Sequence, residues 1–549
     1  MAGLAAIQYV PEAVDLSAGR LVGRRAAGAA FLNAWVRHSG AEPITGYAIG
    51  RERRDAFADH VRALDDKVPI ASADASDVAA LAEAGALWIG DPALEPFAWH
   101  RRWERQTNWS LVGITHTICS HAAIDLIVAL LRAPVQPWDA LICTSNAAKQ
   151  AVLATIQAEA EYLHARMGAT RFSIPQLPVI PLGVDCEALE SRPADRARWR
   201  AELGIGETDV AVLQFGRIAH HAKAHPLPLY RALAEAGRRL DRPLHLILAG
   251  QFVNPKQEQQ FRALADQMAE RVVTHFVDGT RADADTVRAA ADIGALLSDN
   301  IQETFGLAPV ELMAAGLPIV GTDWDGLRDT IEQGSSGFRI DTLMPPPGAG
   351  APLAFRYARD GALESFIAAQ AQSTAFDIGQ AATAFETLAR DPILRANMGA
   401  AARQRARTLY DWRHVIGAYR DLLAELEAMR RGAAEEVAPR RGIATANPCW
   451  PDPYSVFAAY PTAPIGEDML IRIGPAAPDR VAAVEGGTDM TILNPGALPP
   501  IERIDALLAA LRDGPQSLGT LARLFPDTHP PQIAAAMGWL LKFGFAIRA

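Results

Sequence analysis

Cysteine is scarce, and no long apolar run is present. The four cysteines, Cys119, Cys143, Cys186 and Cys449, lie far apart without metal-ligand spacing. This pattern implies neither a disulfide framework nor a zinc site, and it fits reduced thiols. The N-terminus lacks a basic stretch followed by an apolar core, and no window is long and apolar enough to span a bilayer. We therefore expect a cytoplasmic protein with no transmembrane segment, while peripheral membrane contact stays open.

The chain also lacks an excess of positive charge. Its formal net charge is -10, which argues against a nucleic-acid-binding protein held by general electrostatics. Half of the 549 residues are hydrophobic, and a chain of this length is expected to form about three or four domains. Small molecules or other proteins are the expected partners.

Short apolar runs alternate with helical stretches through most of the chain, a pattern typical of parallel sheets in α/β proteins. In the first part the predicted strands are residues 5–10, 43–48, 86–89, 110–115 and 140–144. In the second part they are residues 210–216, 244–249, 272–276, 293–297 and 318–321.

An arginine and a lysine follow the end of one predicted strand, and a histidine follows the end of another. Arg217 follows the strand VAVLQFG directly, and Lys223 lies six positions on, so the pair can clamp a diphosphate from two sides, although each taken alone is also an ordinary surface cation. His116 follows the strand SLVGIT, and the carboxyl end of a parallel strand faces the ligand crevice. A histidine in that position can hydrogen-bond a sugar hydroxyl or a phosphate, whereas a lone histidine is more often structural.

Two carboxylates flank the turn after residues 293–297. Glu303 precedes Phe305, Gly306 and Leu307, and Glu311 lies in a helix predicted to stop at Gly316. Backbone N–H groups at the start of that helix suit a phosphate, and each carboxylate can accept two hydroxyl hydrogen bonds. A nucleotide sugar needs both kinds of contact. Further along, Asp323 and Asp325 are either ligand contacts or part of a solvated loop.

A glycine-rich entry to the first long helix is a second candidate phosphate or acceptor loop. It contains Gly23, Arg24 and Gly28; glycines there let backbone N–H groups approach an anion, but a tight turn with solvated arginines explains them equally well. The histidines His220 and His221 and their neighbour His225 have no acidic partner at metal-site spacing, so we expect hydrogen bonding or packing there, and no metal.

The C-terminal residues read as a separate small module. Residues 431–447 resemble a linker, and residues 500–511, 517–525 and 531–541 predict three helices before a terminal strand at 542–547, an arrangement that resembles a winged helix. The expected recognition helix has one glutamine and one lysine among apolar residues, which does not favour DNA readout. We expect protein packing or homo-oligomerisation through this module.

Taken together, ETFGLAPVE, FGR followed by the lysine, IPLGVD and the late YDW helix resemble the retaining glycosyltransferases of family 4, over about residues 1–430. The resemblance implies the GT-B fold: an acceptor domain at 1–187, a donor domain at 188–410 and a crossover helix at 411–430 that packs back on the first domain. The remaining chain is expected as an extension at 431–499 and a winged-helix-like module at 500–549. The expected fold class is thus α/β, with two Rossmann-like domains and a small mostly helical C-terminal module.

The same resemblance implies the roles of the site residues. Arg217 and Lys223 would hold the donor diphosphate, Glu311 the ribose hydroxyls and Glu303 the transferred sugar. The backbone of Phe305, Gly306 and Leu307 would contact sugar and phosphate, with His116 at the reaction centre.

The sequence departs from the family pattern at Asp299-Asn300, where proline-serine is usual, and at Asp325-Gly326, where a glycine-rich loop is common.

The expected activity is metal-independent transfer of a sugar, with retention, from a nucleotide diphosphate sugar to an acceptor hydroxyl. No cofactor is expected beyond the UDP-linked, GDP-linked or other co-substrate, and the acceptor is not specified by the sequence. Two alternatives remain: a GT-B-related epimerase or phosphorylase, and a non-catalytic scaffold or regulator that acts through the C-terminal module.

Overall fold

A computed structural model describes residues 5–14, 23–38, 40, 43–74, 78–102, 105–433, 447, 451–479 and 498–549. The chain divides into two compact units, residues 1–441 and 442–549. The first unit holds two six-stranded sheets, each with all strands parallel. The predicted α/β class with two Rossmann-like domains is therefore confirmed.

The first sheet has the strand order β3-β2-β1-β4-β5-β6. Its strands are β1 (Ala6–Gln8), β2 (Ile44–Tyr47), β3 (Ile70–Ala73), β4 (Ala86–Trp88), β5 (Ser110–Ile114) and β6 (Ala140–Ile142). The helices between and after them are α1 (Pro11–Val14), α2 (Gly23–His38), α3 (Arg51–Leu64), α4 (Val78–Ala84), α5 (Glu95–Arg102), α6 (His121–Ala129) and α7 (Asn146–Met167). The sequence predicted every one of these strands except the edge strand β3.

A buried ion pair joins a helix to the starts of two strands of this sheet. The Arg101 guanidinium donates to both carboxylate oxygens of Asp139, at 2.6 and 2.7 Å, and both side chains are fully buried. Asp139 also accepts the backbone N–H groups of Leu111 and Gln136. These hydrogen bonds satisfy the remaining lone pairs of the buried carboxylate. Through its partners, the carboxylate connects α5 to the starts of β5 and β6.

The second sheet repeats the topology in the order β12-β11-β10-β7-β8-β9. Its strands are β7 (Ala211–Phe215), β8 (Leu244–Gly250), β9 (Val272–Asp278), β10 (Ile293–Leu296), β11 (Ile319–Thr322) and β12 (Gly337–Ile340). Its helices are α8 (Pro193–Glu202), α9 (Pro226–Leu240), α10 (Pro255–Asp266), a 3-10 helix at Ala284–Ala290, α11 (Leu307–Ala314) and α12 (Leu327–Thr330).

Strand order reverses between β7 and β10, which pair directly through Ile293 with Val212 and Gly294 with Leu213. In doubly wound sheets the ligand crevice opens at such a point, beyond the carboxyl ends of the strands. The fold therefore places a ligand next to the loops that follow β7 and β10.

A helical insertion follows β12. It consists of β13 (Thr342–Leu343), α13 (Ala351–Asp360), α14 (Leu363–Ala371) and β14 (Ala375–Phe376). Tyr357 stacks on His121 of the first domain with ring centroids 3.8 Å apart, and the Gln370 side chain accepts the Ile301 N–H at 3.2 Å. The insertion thus contacts both halves of the first unit. Residues 344–350 form a loop as predicted, whereas α13 was not predicted.

The chain returns to the first domain through a final helix. After α15 (Ile378–Arg390), α16 (Pro392–Arg405) and a π-helical turn at Ala406–Tyr410, α17 covers Trp412–Gly432. Trp412 and Tyr419 of α17 share a core with Phe31, Trp35 and Trp88 of the first domain. The ring of Tyr419 lies 5.3 Å from that of Phe31. The last helix of the first unit is therefore part of the core of the first sheet.

The second unit is a small α/β module. It contains α18 (Pro453–Val456), β15 (Leu470–Ile473), a 3-10 helix at Ala477–Asp479, α19 (Ile501–Ala510), β16 (Gln516–Ser517), α20 (Leu518–Leu524), α21 (Pro530–Lys542) and β17 (Ala546–Arg548). The three predicted helices and the terminal strand are present, and β17 and β16 both pair antiparallel with β15. The sheet was not predicted, and the winged-helix assignment stays a prediction. Of the predicted linker and extension at 431–499, residues 434–446, 448–450 and 480–497 lie outside the described residues.

Candidate active site

The loops after β7 and β10 bring opposite charges together at the switch point. Lys223 Nζ lies 2.5 Å from Glu303 Oε2, and the two side chains are 31% and 13% exposed. Asn300 donates to the Lys223 carbonyl at 2.7 Å, which holds the two loops in register. The two residues were predicted from separate strand ends, and the structure pairs them.

Several groups act on the Glu303 carboxylate. Burial would raise its pKa, but the Lys223 ammonium, the Gly306 backbone N–H and the Arg217 charge together hold that pKa below its ordinary value. Glu303 is therefore ionised at neutral pH. Because Arg217 acts on Glu303 as well, both predicted basic residues belong to the same electrostatic cluster.

Glu311 lies one turn into α11, on the same side of the site. Its pKa is raised by burial, although the Arg288 and Lys223 charges oppose that rise. Lys223 thus interacts with both predicted carboxylates. A carboxylate shielded from water and next to cations is able to accept two hydroxyl hydrogen bonds from one ligand.

The turn between the two glutamates is set by glycine. Gly306 has a φ of 85° and precedes the first residue of α11, a conformation that disfavours residues with a Cβ. The Phe305 side chain is 2% exposed and belongs to the core. At Phe305 only the backbone is therefore available to a ligand, and the ligand contacts predicted for Phe305, Gly306 and Leu307 stay a prediction.

Loops of the first domain contact the loop that carries Glu303. The hydroxyl of Thr117 lies 3.5 Å from the Gln302 carbonyl, and that of Ser145 donates to the Thr304 carbonyl at 2.7 Å. His116 directly precedes Thr117, and its Nε2 is 2.9 Å from the Gly90 carbonyl. His116 therefore lies at the edge where the two domains meet. Nothing in the local sequence around Ser145 indicates this contact across the cleft.

The two aspartates after β11 differ in environment. Asp323 lies near Arg328 and Arg339, at 3.7 and 3.4 Å. Asp325 faces inward: burial and the Glu303 charge raise its pKa well above the ordinary value, while the Gly326 N–H and Lys223 oppose the rise. The solvated-loop interpretation is therefore wrong for Asp325. The sequence does not show the inward position of this side chain, because that position depends on packing between loops.

The structure gives less support to the predicted phosphate or acceptor loop at the start of α2. Gly23 begins α2, and a Cβ at Gly28 would lie 2.7 Å from the Ala13 carbonyl oxygen, so Gly28 allows α1 and α2 to approach. Residues 15–22 and the Arg24 side chain lie outside the described residues, so the anion-binding role of this loop stays a prediction.

The histidine-rich segment before α9 serves local structure. His225 caps α9 by accepting the Leu227 N–H at 3.3 Å, and its own N–H donates to Asp299 at 3.1 Å. Across the residues that the structure describes, no group of three or more His, Cys, Asp or Glu side chains could hold a metal ion. In the same ranges, no helix is long and apolar enough to cross a membrane.

A cavity of about 400 Å³ lies away from this cluster. Asp292, immediately before β10, and Pro318, immediately before β11, line it. It therefore opens at the amino ends of these strands, opposite the end that carries Glu303.

Part of the chain is similar to known glycosyltransferases. Residues 195–343 match the family described as Glycosyl transferases group 1. The D-inositol 3-phosphate glycosyltransferase of Saccharomonospora viridis is 30% identical over 262 residues, which are 47% of this chain and 52% of that protein. The 2-deoxystreptamine glucosyltransferase of Streptomyces kanamyceticus is 29% identical over 260 residues, which are 44% and 60%. This chain spans about half the length of the curated relatives it matches.

Two solved structures resemble it in fold. Anabaena Alr3699/HepE, solved in complex with UDP, aligns with a TM-score of 0.51 at 19% identity and covers 77% of this chain and 100% of its own. A glycosyltransferase from Rickettsia africae ESF-5 aligns with a TM-score of 0.50 at 12% identity, covering 77% and 98%. These likenesses support the predicted GT-B arrangement of two Rossmann-like domains.

Proposed function

We propose that this chain is a glycosyltransferase that moves a sugar, with retention and without a metal, from a nucleotide diphosphate sugar to an acceptor hydroxyl. The observation that carries the proposal is the cluster of Lys223, Glu303, Arg217 and Glu311 at the switch point of the second sheet. The two cations match the diphosphate of such a donor, and the two carboxylates match its sugar and ribose hydroxyls. The match of residues 195–343 to a glycosyltransferase family supports the same activity.

Each charged group takes one part of the donor. Arg217 and Lys223 hold the diphosphate, with the first-turn N–H groups of α11 beside them. Glu311 accepts the ribose hydroxyls, and Glu303 accepts hydroxyls of the transferred sugar. The donor therefore displaces part of the contact between Lys223 and Glu303 and gives each of them a new partner.

The chemistry follows from where charge develops. As the bond from the anomeric carbon to the phosphate oxygen breaks, negative charge grows on the leaving diphosphate, and fixed cations and N–H donors stabilise that charge. The sugar becomes oxocarbenium-like, and the acceptor oxygen bonds to the anomeric carbon on the face that the phosphate leaves. The leaving phosphate oxygen takes the acceptor proton. The products are the glycoside and a nucleoside diphosphate, and no protein nucleophile is required.

His116 lines this reaction centre from the first domain. Its contact with the Gly90 carbonyl orients the imidazole at the end of β5, and the neighbouring Thr117 reaches the loop of Glu303. A fixed imidazole there positions a hydroxyl of the reacting sugar or of the acceptor.

Nucleotide binding tests the proposal first. UDP, GDP and their sugar conjugates are expected to raise the melting temperature of the protein, because a ligand that binds the native state stabilises it by mass action. UDP is the first choice because HepE was solved with it. Glu311→Gln should weaken nucleotide binding by about 10- to 100-fold, the loss expected for hydrogen bonds to a charged group. Glu270→Gln, at an exposed position of the same domain, is the matched control.

Product analysis separates the alternatives. Release of nucleoside diphosphate that requires an acceptor, and that persists in EDTA, supports transfer without a metal. Turnover without an acceptor would favour an epimerase or a phosphorylase instead. If no nucleotide or nucleotide sugar stabilises the protein, the proposal fails and a non-catalytic role gains support.

A further inference from the structure

Asp325 adopts a backbone conformation that L-residues rarely take. Its φ is 39°, and within the described ranges the other non-glycine residue with positive φ is Asp241, at 53°. Asp241 ends α9 at the surface, where a left-handed residue is common. Asp325 lies instead beside the candidate active site. Conformations of this kind persist where the surroundings enforce them, and they cluster at functional sites.

Packing against the Glu303 loop enforces this conformation. A Cβ added at Gly326 would lie 2.5 Å from the Phe305 Cα and 2.8 Å from the Thr304 carbonyl oxygen. In addition, the Trp324 indole N–H donates to the Asn300 carbonyl at 2.8 Å. The Asp325 backbone is therefore held directly against the residues that follow Glu303.

The carboxyl group of Asp325 is incompletely used by the protein. Oδ1 accepts the Gly326 N–H, whereas Oδ2 is buried and has no hydrogen-bond partner. Leaving such an atom without a partner is costly, and the cost falls if a ligand supplies the missing hydrogen bond. Glu303 and Lys223 are the charged groups that act on this carboxyl group.

The two acids next to each other differ in protonation. Glu303 is ionised by its pairing with Lys223, and the adjacent negative charge together with burial raises the pKa of Asp325. When pKa values are driven apart in this way, one carboxyl group accepts hydrogen bonds and the other donates. A sugar hydroxyl is both a donor and an acceptor, so it can bridge the two.

We propose that Asp325 is a specificity-determining residue whose Oδ2 binds a hydroxyl of the transferred sugar on the donor. This inference deepens the proposed function and rests on it. The hydroxyl donates to Glu303 and accepts from Asp325. A site built for such a hydroxyl discriminates strongly against sugars that lack it, because its polar groups would then stay buried and unpaired.

The test compares binding of a nucleotide with binding of its sugar conjugate. Isothermal titration calorimetry is carried out with UDP, GDP, UDP-glucose, UDP-N-acetylglucosamine and GDP-mannose on the wild-type protein, Asp325→Gly, Asp325→Asn and Asp241→Gly. Glycine tolerates the positive φ, so Asp325→Gly removes the carboxyl group without backbone strain. Asp241→Gly makes the same replacement at the other left-handed aspartate and controls for the backbone effect.

Asp325→Gly is expected to bind the nucleotide like the wild-type protein while its affinity for the best sugar conjugate falls about tenfold, as for one lost hydrogen bond. Asp325→Asn, which keeps a donor and the shape, should stay within about threefold, and Asp241→Gly should equal wild type. Equal loss for nucleotide and conjugate, or no loss for either, would overturn the assignment of Asp325. If none of the five compounds binds the wild-type protein, the proposed function itself fails, and this inference with it.

Discussion

Replacing Lys223 by methionine is expected to damage both the stability and the ligand binding of the site. Methionine keeps most of the length and the apolar stem of lysine but removes the charge. Glu303, at 2.5 Å from the ammonium and 13% exposed, would lose its closest partner. The Gly306 N–H and the Arg217 charge would be left to offset the burial of the carboxylate.

The size of the effect follows from the exposure of the pair. Breaking a fully buried ion pair costs about 3–5 kcal/mol. Because Lys223 is 31% exposed, water screens part of the interaction, and we expect a loss of about 1.5–3 kcal/mol in the free energy of unfolding, the range for a hydrogen bond to a charged group. The diphosphate would lose one of its two cations as well, so turnover should fall by orders of magnitude.

The effect on stability should depend on pH in a defined direction. In the wild-type protein the pKa of Glu303 lies below its ordinary value, so the contribution of Glu303 to stability is present above the ordinary value and is lost as the pH falls through the lowered pKa. In Lys223→Met, burial becomes dominant and raises the pKa. The contribution is then largest below the unfolded value and is lost as the pH rises, so the two proteins should differ most near pH 7.

Urea denaturation at several pH values measures this difference, and a double-mutant cycle with Glu303→Gln isolates the pair. The double variant should recover part of the stability lost by Lys223→Met, because it no longer buries an unpaired charge. Lys256→Met, at an exposed lysine of the same domain, should have little effect. A loss that is the same at all pH values, or a double variant as unstable as the two single losses added together, would refute the reasoning.

Two further predictions concern packing and burial. Gly183→Ala should destabilise the protein by about 1–3 kcal/mol in calorimetry, because the new Cβ would lie 2.4 Å from the Trp412 ring. The control Gly417→Ala has no atom within 4 Å of its Cβ and should be neutral or stabilising. Equal effects of the two substitutions on stability would contradict this prediction. Burial raises the pKa of Asp299 to about 6, so wild-type stability falls as the pH rises through that value, and Asp299→Asn should gain about 1 kcal/mol more at pH 8 than at pH 5 in urea denaturation. A gain independent of pH would show that the charge of Asp299 is not responsible.

The elements that the sequence predicted are those whose apolar composition indicates that they are buried. The strands VAVLQF and LHLILA are almost entirely apolar apart from Gln214 and His245, as expected for the centre of a parallel sheet. Strand β3, Ile70–Ala73, is short, lies at an edge and is only partly buried, so its residues give no clear signal. Helix α13 has a single buried residue, Tyr357, because its role is to reach across to the first domain and not to cover a sheet.

The site was predictable where it depended on strand ends and not where it depended on packing between loops. Arg217 and Glu303 follow β7 and β10, and sheet topology alone brings such positions together. The inward orientation of Asp325 requires a positive φ and the close approach of the neighbouring Gly326 to Thr304 and Phe305. The contact of Ser145 with Thr304 joins residues of different domains. Neither has a local sequence pattern.

The position of α17 has a consequence for the order in which the protein forms during synthesis. The aromatic cluster of Phe31, Trp35 and Trp88 is completed by Trp412 and Tyr419, which leave the ribosome only after the whole donor domain. Until then the first domain presents an uncovered aromatic surface, so its final folding waits for the second domain. A nascent chain arrested before Trp412 should therefore depend on chaperones, although it already contains every strand of its own sheet.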